Sequence, residues 1–320
     1  MNINTKAHRE KVREFCKSAG KLLGTKSETL IEKDIYLTLI LKELKNTKLH
    51  ENLVFKGGTC LAKAYLDYHR FSEDLDFIRK DQQIFREKST NQIRKICSGL
   101  INGIGGELVK ISAKYGFDFK FEKHNREYVQ LGGSNKLVTF IVWFDSIYHR
   151  RSMIKVQINF LEDLEFPLEL RELKPLTRKF PESEEIYFRD FLEFYKDLNY
   201  QVYNIQEIAC EKIRTLLTRR RAKTRDILDL YLISEKFDIN ILNLKDRWIE
   251  KTKFALKTYE KYKENFNARK ALTKEELMSD EINYLLLTGT NKDSFELFID
   301  DFLNILNNET NTLFNKQQTP

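Results

Sequence analysis

Residues 55–76, FKGGTCLAKAYLDYHRFSEDLD, constrain the fold more than any other part of the chain. The apolar residues 53–55 predict a short buried strand, and a helix is predicted directly after it. Asp74 begins a second predicted strand. The turn between the first strand and the helix consists of Lys56, Gly57, Gly58 and Thr59. A strand, a Gly-Gly turn, a helix and a strand with two aspartates indicate an α/β arrangement in which the turn lies beside the aspartates.

Asp74 and Asp76 stand one residue apart on the second predicted strand. Side chains at i and i+2 of a strand point the same way, so both carboxylates project from one face. They repel each other unless a hard cation such as Mg²⁺ (or Mn²⁺) is shared between them. The glycines offer backbone N–H groups, and Thr59 is placed to cap a helix whose N-terminus favours phosphate. A lone Gly-Gly is usually a turn and a lone Asp-x-Asp a solvated strand end, but together they predict a phosphate cradle beside a metal site.

The remaining pattern predicts an α+β fold with two domains, at residues 1–175 and 176–320. In the first domain, a helix at 28–45 precedes a mixed β-sheet flanked by helices, with a helix break at 102–106 and a loop at 131–136. Its later strands are predicted at 117–124, 137–145 and 154–160. Three of the four prolines mark a connecting segment after Pro167. The second domain is predicted to be all-helical, with segments at 203–218, 224–236, 246–266, 273–287 and 293–308.

Composition narrows the partners and the compartment. The net charge of +7 favours a polyanion such as nucleic acid or a nucleotide. The four cysteines are far apart and form no Cys-x-x-Cys pair, which indicates reduced thiols in a cytoplasmic protein. The five histidines lack metal-ligand spacing. No apolar run is long enough for a membrane span, and the polar start of the chain does not resemble a secretory signal.

The chain resembles the AbiEii/AbiGii-type nucleotidyltransferase toxins, within the DNA polymerase β-like nucleotidyltransferase superfamily. FKGGTCLAKAY followed by RFSEDLDF resembles the signature of that family. EKDIYLTLILKEL, IKVQINF and EIACEKIRTLLTRRRAKTRDILDLYLI resemble three further family elements, so that the resemblance covers roughly residues 30–235. It implies a nucleotidyltransferase-like first domain, with the helical domain completing an active-site cleft.

The resemblance also implies roles for individual residues. Nucleotide phosphates are expected at the turn, and the metal at Asp74 and Asp76. Lys212 matches a lysine that holds the triphosphate. Asp226 and Asp229 match the acidic pair of the last motif. The expected catalytic residues are therefore Asp74, Asp76, Lys212 and Asp226, and the expected nucleotide-binding residues are Lys56, Gly57, Gly58, Thr59, Ser72, Lys212 and Asp229.

One position departs from the superfamily pattern. Enzymes of this kind commonly carry a third carboxylate on a later strand, and the inward position of IKVQINF is Gln157. An amide is a weaker metal ligand than a carboxylate and cannot act as a base. Either Asp226 or Asp145 supplies the missing carboxylate, or the site is weakened.

Two basic segments are candidates for nucleic-acid binding. One contains Arg219, Arg220, Arg221 and Lys223, and the other contains Arg150 and Arg151. Each suits a polynucleotide backbone, although charge runs are more often solvated faces.

The leading hypothesis is metal-dependent transfer of a nucleoside monophosphate from an NTP to an acceptor hydroxyl. RNA, especially a tRNA 3′ end, is the favoured acceptor. The resemblance implies the toxin of a toxin–antitoxin or phage-defence pair, with a cognate antitoxin. The alternatives are a catalytically weak nucleotide-binding protein, suggested by Gln157, and a phosphotransferase that passes on the γ-phosphate.

Overall fold

The computed structural model describes residues 2–176, 180–269, 271–278, 286, 289 and 291–315. The α-helices are α1 Lys6–Leu23, α2 Glu28–Lys45, α3 Gly57–Ala64, α4 Thr90–Tyr115, α5 Glu182–Tyr187, α6 Arg189–Leu192, α7 Ile205–Thr218, α8 Thr224–Phe237, α9 Lys245–Thr258, α10 Glu260–Ala268, α11 Lys274–Leu277 and α12 Lys292–Asn315. The strands are β1 Leu53–Lys56, β2 Asp74–Arg79, β3 Val129–Gly132, β4 Leu137–Phe144, β5 Ser152–Asn159, β6 Glu169–Glu172 and β7 Asn199–Val202.

The strands form one mixed sheet in the order β3-β4-β5-β2-β1-β7-β6. β1 is antiparallel to β2 and parallel to β7, and β2 is parallel to β5. The other neighbouring pairs are antiparallel. The α+β fold class predicted from the sequence is confirmed.

One face of the sheet packs on helices and forms a core rich in aromatic rings. Tyr36 of α2 meets Phe144 of β4 with ring centroids 4.8 Å apart. Phe55 of β1, Phe77 of β2 and Tyr200 of β7 form a second aromatic group. Because strand side chains alternate between faces, the residues between these aromatics point to the opposite face, where Asp74 and Asp76 lie.

The chain divides into two compact units. The first unit comprises residues 1–161 and 168–203, and the second comprises residues 162–167 and 204–320. These limits differ from the predicted boundary at 175/176, because β7 pairs with β1 and β6 in the sheet of the first unit. β7 also lies within the range 176–320 that was predicted to be all-helical. In the described residues the second unit contains α7 to α12.

Two local predictions about the first unit were wrong. The glycine-rich residues 102–106 do not break a helix, since α4 runs without interruption from Thr90 to Tyr115. A Cβ on Gly105 would lie 2.7 Å from Cγ of Phe121 and closer to other ring atoms, so this glycine lets an aromatic ring pack directly on the helix. Residues 117–124 form no strand, because only Asp118 pairs with β4, through Trp143.

The helix predicted at 28–45 has the predicted limits, and several other predicted elements differ from the structure mainly in their limits. β3 occupies part of the region predicted as a loop at 131–136. The predicted helix at 246–266 is divided between α9 and α10. The predicted segment at 273–287 begins as α11, but most of its remainder lies outside the described residues.

We expect the stability of the first unit to depend on pH through His8. This residue of α1 is buried against the rings of Tyr36 and Phe191, and among the described residues its Nε2 has no hydrogen-bond partner. Burial, followed by the charge of Lys11, lowers the pKa of His8 from 6.5 to about 4. Between these two values the unfolded chain binds a proton that the folded chain does not. The free energy of unfolding therefore falls as pH drops through this window, by up to about 3 kcal/mol.

The variant His8→Phe keeps a ring at this position and removes the titration. Its urea-unfolding free energy, followed by circular dichroism, should change less between about pH 7 and about pH 5 than that of the wild type. Equal pH dependence in the two proteins would contradict this assignment.

Candidate active site

The Gly-Gly turn and the aspartates of β2 lie together in the first unit. Gly57 begins α3 with a φ of +78°, a backbone conformation that favours glycine. A Cβ at this position would lie 2.9 Å from Cβ and Cγ of Asp76 and closer still to its Oδ2. The Asp76 carboxylate therefore rests directly against the backbone of the turn, at the start of α3.

Thr59 links the turn to β2. Its Oγ1 donates a hydrogen bond of 2.5 Å to the backbone oxygen of Asp74, which fixes the helix against the strand beside the carboxylates. The sequence predicted a helix-capping role for this hydroxyl, but the N-cap position of α3 is Lys56. Lys56 itself is buried, with its ammonium 5.4 Å from the centroid of the Tyr203 ring.

Two side chains lie against Gly58. A Cβ there would stand 3.0 Å from Oγ of Ser72 and 2.7 Å from Nη2 of Arg70. Arg70 is almost fully buried, and its Nη1 donates to the backbone oxygen of Phe71 at 2.8 Å. Sequence reasoning missed Arg70, because a single arginine in a loop carries no pattern that separates it from a surface residue.

A row of polar residues crosses five strands on the face that carries the aspartates. It follows the register of the sheet, in which Asp76 pairs with Lys56 of β1 and with Gln157 of β5. The row continues through Thr139 of β4 to Gln130 of β3. Gln157 is thus the register partner of Asp76 on the adjacent strand. Asp74 has Lys155 of β5 as its register partner.

The carboxylates of Asp74 and Asp76 suit a hard divalent cation whose remaining ligands include phosphate oxygens of a substrate. Asp74 and Asp76 are half-exposed and project from the same face of β2. Within the described residues, no group of three or more His, Cys, Asp or Glu side chains is placed to hold a metal ion. Asp145, one proposed source of a third carboxylate, is exposed beyond the end of β4. Mg²⁺ held by one or two carboxylates commonly completes its shell with phosphate oxygens and water.

In the second unit, Lys212, Arg219, Asp226 and Asp229 form an ionic cluster between α7 and α8. The Lys212 ammonium lies 2.7 Å from Asp226 Oδ1 and 2.5 Å from Asp229 Oδ2. Arg219 contacts the other oxygen of Asp226 at 2.6 Å. Burial by itself raises the pKa of the Asp226 carboxyl, but the charges of Lys212 and Arg219 outweigh burial and bring that pKa below its ordinary value. The cluster therefore holds Asp226 ionised.

The candidate nucleic-acid residues differ in their surroundings. Arg219 belongs to the ionic cluster, whereas Arg220, Arg221 and Lys223 are exposed. Arg151 pairs with Asp118 at 2.5 Å and Glu127 at 2.6 Å, and its guanidinium stacks on Trp143.

Arg150, next to Arg151, is exposed. Of the six residues predicted to bind nucleic acid, Arg219 and Arg151 are thus already paired with carboxylates. The prediction that the carboxylate pair and the ionic cluster complete one cleft stays a prediction.

In the part of the chain that the structure describes, no helix is both long and apolar enough to cross a bilayer.

Known proteins that resemble this chain are nucleotidyltransferases or are described as such. A family model described as "Nucleotidyl transferase AbiEii toxin, Type IV TA system" matches residues 39–308. MenT4, a nucleotidyltransferase toxin from Mycobacterium tuberculosis H37Rv, has a similar structure with a TM-score of 0.54 and 20% identity, over 91% of this chain and 89% of that one. A nucleotidyltransferase candidate from H. pylori aligns with a TM-score of 0.42 and 16% identity, over 90% of this chain and 98% of that one. The search of curated proteins gave no match.

Proposed function

Since the chain belongs to the AbiEii family of nucleotidyltransferase toxins of type IV toxin–antitoxin systems, we propose that it transfers a nucleoside monophosphate from an NTP to an acceptor hydroxyl. The observation that carries this proposal is the contact between the Gly57 turn and Asp76, with Asp74 on the same face of β2. This contact offers backbone N–H groups for phosphate next to two carboxylates for a cation.

Asp74 and Asp76 would hold Mg²⁺, which when bound supplies charge stabilisation for the phosphates. The turn at Gly57 and Gly58 orients the triphosphate. The acceptor oxygen forms a bond to the α-phosphorus, and the bond to the bridging oxygen of the β-phosphate breaks. Pyrophosphate leaves with that electron pair, and the proton of the acceptor passes to solvent water.

In the same reaction we assign Lys212 a contact with the nucleotide, and Asp226 and Asp229 a positioning role. An ammonium has three N–H donors, and the contacts of Lys212 with Asp226 and Asp229 use two of them. The remaining donor suits a phosphate oxygen of the NTP. Asp226 and Asp229 fix the direction of the lysine, so Asp226 acts through Lys212 in this proposal.

The proposed acceptor is RNA, with a tRNA 3′ end favoured. Support comes from the net charge of +7 and from the exposed Arg150, Arg220 and Arg221, which suit a phosphate backbone. Family membership adds a cognate antitoxin as the proposed partner.

The test is incubation of the purified protein with Mg²⁺, total tRNA and each of the four α-labelled NTPs in turn, with Asp74→Ala/Asp76→Ala as the control. We expect label on RNA with the wild type alone, and from one or few of the NTPs. Transfer of label from a γ-labelled NTP would instead show a phosphotransferase.

Gln157 in the register position next to Asp76 favours a second candidate, a nucleotide-binding protein with weak catalysis. NTP binding measured by calorimetry, with no label on any RNA, protein or small-molecule acceptor, would support that candidate over the first.

A further inference from the structure

β5, the strand beside the carboxylate pair, contributes a lysine ammonium and a glutamine amide to this face and no further carboxylate at the paired positions. In the parallel pairing of β2 with β5, Lys155 is the partner of Asp74 and Gln157 is the partner of Asp76. Neighbouring strands lie about 4.8 Å apart, and paired residues project from the same face. Both β5 side chains therefore flank the carboxylates on the side away from β1.

This set of charges suits one divalent cation. Asp74, Asp76 and Lys155 have a combined formal charge of −1, and Lys56, the β1 partner of Asp76 on the same face, brings the total to zero. Two divalent ions about 3.5–4 Å apart repel each other strongly and need several carboxylates between them. The Gln157 amide oxygen is a neutral ligand. Among the described residues, no group of three or more Asp, Glu, His or Cys side chains is placed to hold a metal ion, so none adds carboxylates for a second cation.

The ammonium of Lys155 lies where it can supply the positive charge that a second divalent cation would otherwise provide. Its side chain is half-buried on the polar face, and in the described structure it makes no hydrogen bond or ion pair. A lysine ammonium is a compact charge on a flexible stem that reaches across a neighbouring strand.

We propose that the site binds a single divalent cation together with the NTP, and that the Lys155 ammonium replaces a second cation by contacting the α-phosphate. Lys155 is then a catalytic residue, because it stabilises the charge that develops on the phosphoryl oxygens during transfer. The inference depends on the proposed nucleotidyl transfer, which uses the same face of the sheet.

The first test counts bound Mn²⁺ by electron paramagnetic resonance, in the presence of the α,β-methylene analogue of each of the four NTPs in turn. We expect one Mn²⁺ per wild-type chain and two in Lys155→Ala/Gln157→Glu. This double variant adds a third carboxylate beside Asp76 and removes the Lys155 ammonium. The matched control is Lys155→Ala/Thr139→Glu. It carries the same charge change, but its new carboxylate lies one strand further from Asp76, and it should bind one.

The outcomes separate the inference from its premise. Two Mn²⁺ ions in the wild type, or an equal gain in the Thr139→Glu control, would overturn the single-cation inference and leave nucleotidyl transfer intact. Absence of Mn²⁺ from the wild type, with or without nucleotide, would overturn the proposed metal-dependent function.

The second test measures the transfer rate at saturating Mg²⁺ and NTP. Lys155→Ala should lower the rate about 100-fold while NTP binding is retained, since the contact strengthens in the transition state. Lys155→Arg, which keeps the charge, should recover part of the loss. An unchanged rate in Lys155→Ala would refute the catalytic role of this lysine.

Discussion

An alanine at position 57 is expected to lower nucleotidyl transfer about 100-fold, because it displaces the Asp76 carboxylate. The added methyl group would stand 2.9 Å from Cβ and Cγ of Asp76, well inside ordinary contact. The clash is not confined to the end of the side chain, since it includes Cβ and Cγ of Asp76, which belongs to a strand paired on both sides. Either the start of α3 or the carboxylate must move, and each movement separates the phosphate turn from the metal ligands. The measurement is transfer of α-label to tRNA at saturating NTP and Mg²⁺.

Gly24→Ala is the matched control for backbone strain. Gly24 has a φ of +65°, close to that of Gly57, but a Cβ there meets no atom within 4 Å. Both substitutions should cost about 1–2 kcal/mol of stability through the left-handed conformation alone. Only Gly57→Ala should also lose transfer activity. If the two variants lost activity equally, the effect would come from strain or misfolding and not from the position of Asp76.

Local periodicity predicted the central elements of the first unit. The helix at 28–45 has the predicted limits, and β1, β2, β4 and β5 lie where alternating or continuous apolar residues placed them. The same alternation put Asp74 and Asp76 on one face and Gln157 on the corresponding face of a later strand. These inferences succeed because strand and helix periods depend only on neighbouring residues.

The sequence predictions that were wrong or missing concern elements that depend on residues distant in the chain. β6 and β7 are four residues each and lack the continuous apolar run that marks the equally short β1, and they exist because they pair at the edge of the sheet. Residues 117–124 alternate correctly, yet they lack a strand neighbour beyond one bridge to Trp143. The glycines of α4 suggested a break because the Phe121 ring that packs on Gly105 cannot be inferred from their spacing.

The candidate site shows the same division. Motif resemblance named Lys212, Asp226 and Asp229, but not that the two carboxylates hold the ammonium in an ion-pair cluster, which follows from how α7 packs on α8. Arg70 beneath Gly58 and Lys155 beside Asp74 became visible only through the tertiary contacts and the strand register. Residues outside a motif are recognised by what they face, which is a property of the fold.

The variant Lys251→Met should destabilise the second unit by about 3–5 kcal/mol, because it leaves a carboxylate buried without its counter-charge. Lys251 of α9 is fully buried and lies 2.6 Å from Oε1 of Glu207, which is itself inaccessible to solvent. It also donates to the backbone oxygen of Asp163 at 2.7 Å. Burial opposes the charge of Lys251, but the surrounding carboxylates outweigh burial and raise its pKa.

The same contacts hold residues 162–167 in the second unit. The other oxygen of Glu207 accepts hydrogen bonds of 2.8 Å from the backbone N–H groups of Glu165 and Phe166. Loss of Lys251 should therefore loosen this segment as well as α9. The double variant Lys251→Met/Glu207→Gln removes both charges and should recover part of the lost stability, since an amide can still accept hydrogen bonds from those N–H groups.

The two tryptophans allow the second unit to be measured by itself. Trp143 belongs to the first unit and Trp248, fully buried in α9, to the second, so urea unfolding of a Trp143→Phe background, followed by fluorescence, reports on the surroundings of Lys251. Lys253→Met is the matched control on the same helix. Its ammonium pairs with Glu250 at the surface, where an ion pair contributes less than about 1 kcal/mol. Equal midpoints for the two variants would show that the Lys251–Glu207 pair does not stabilise the unit, whereas a loss confined to Lys251→Met, with partial recovery in the double variant, would show that it does.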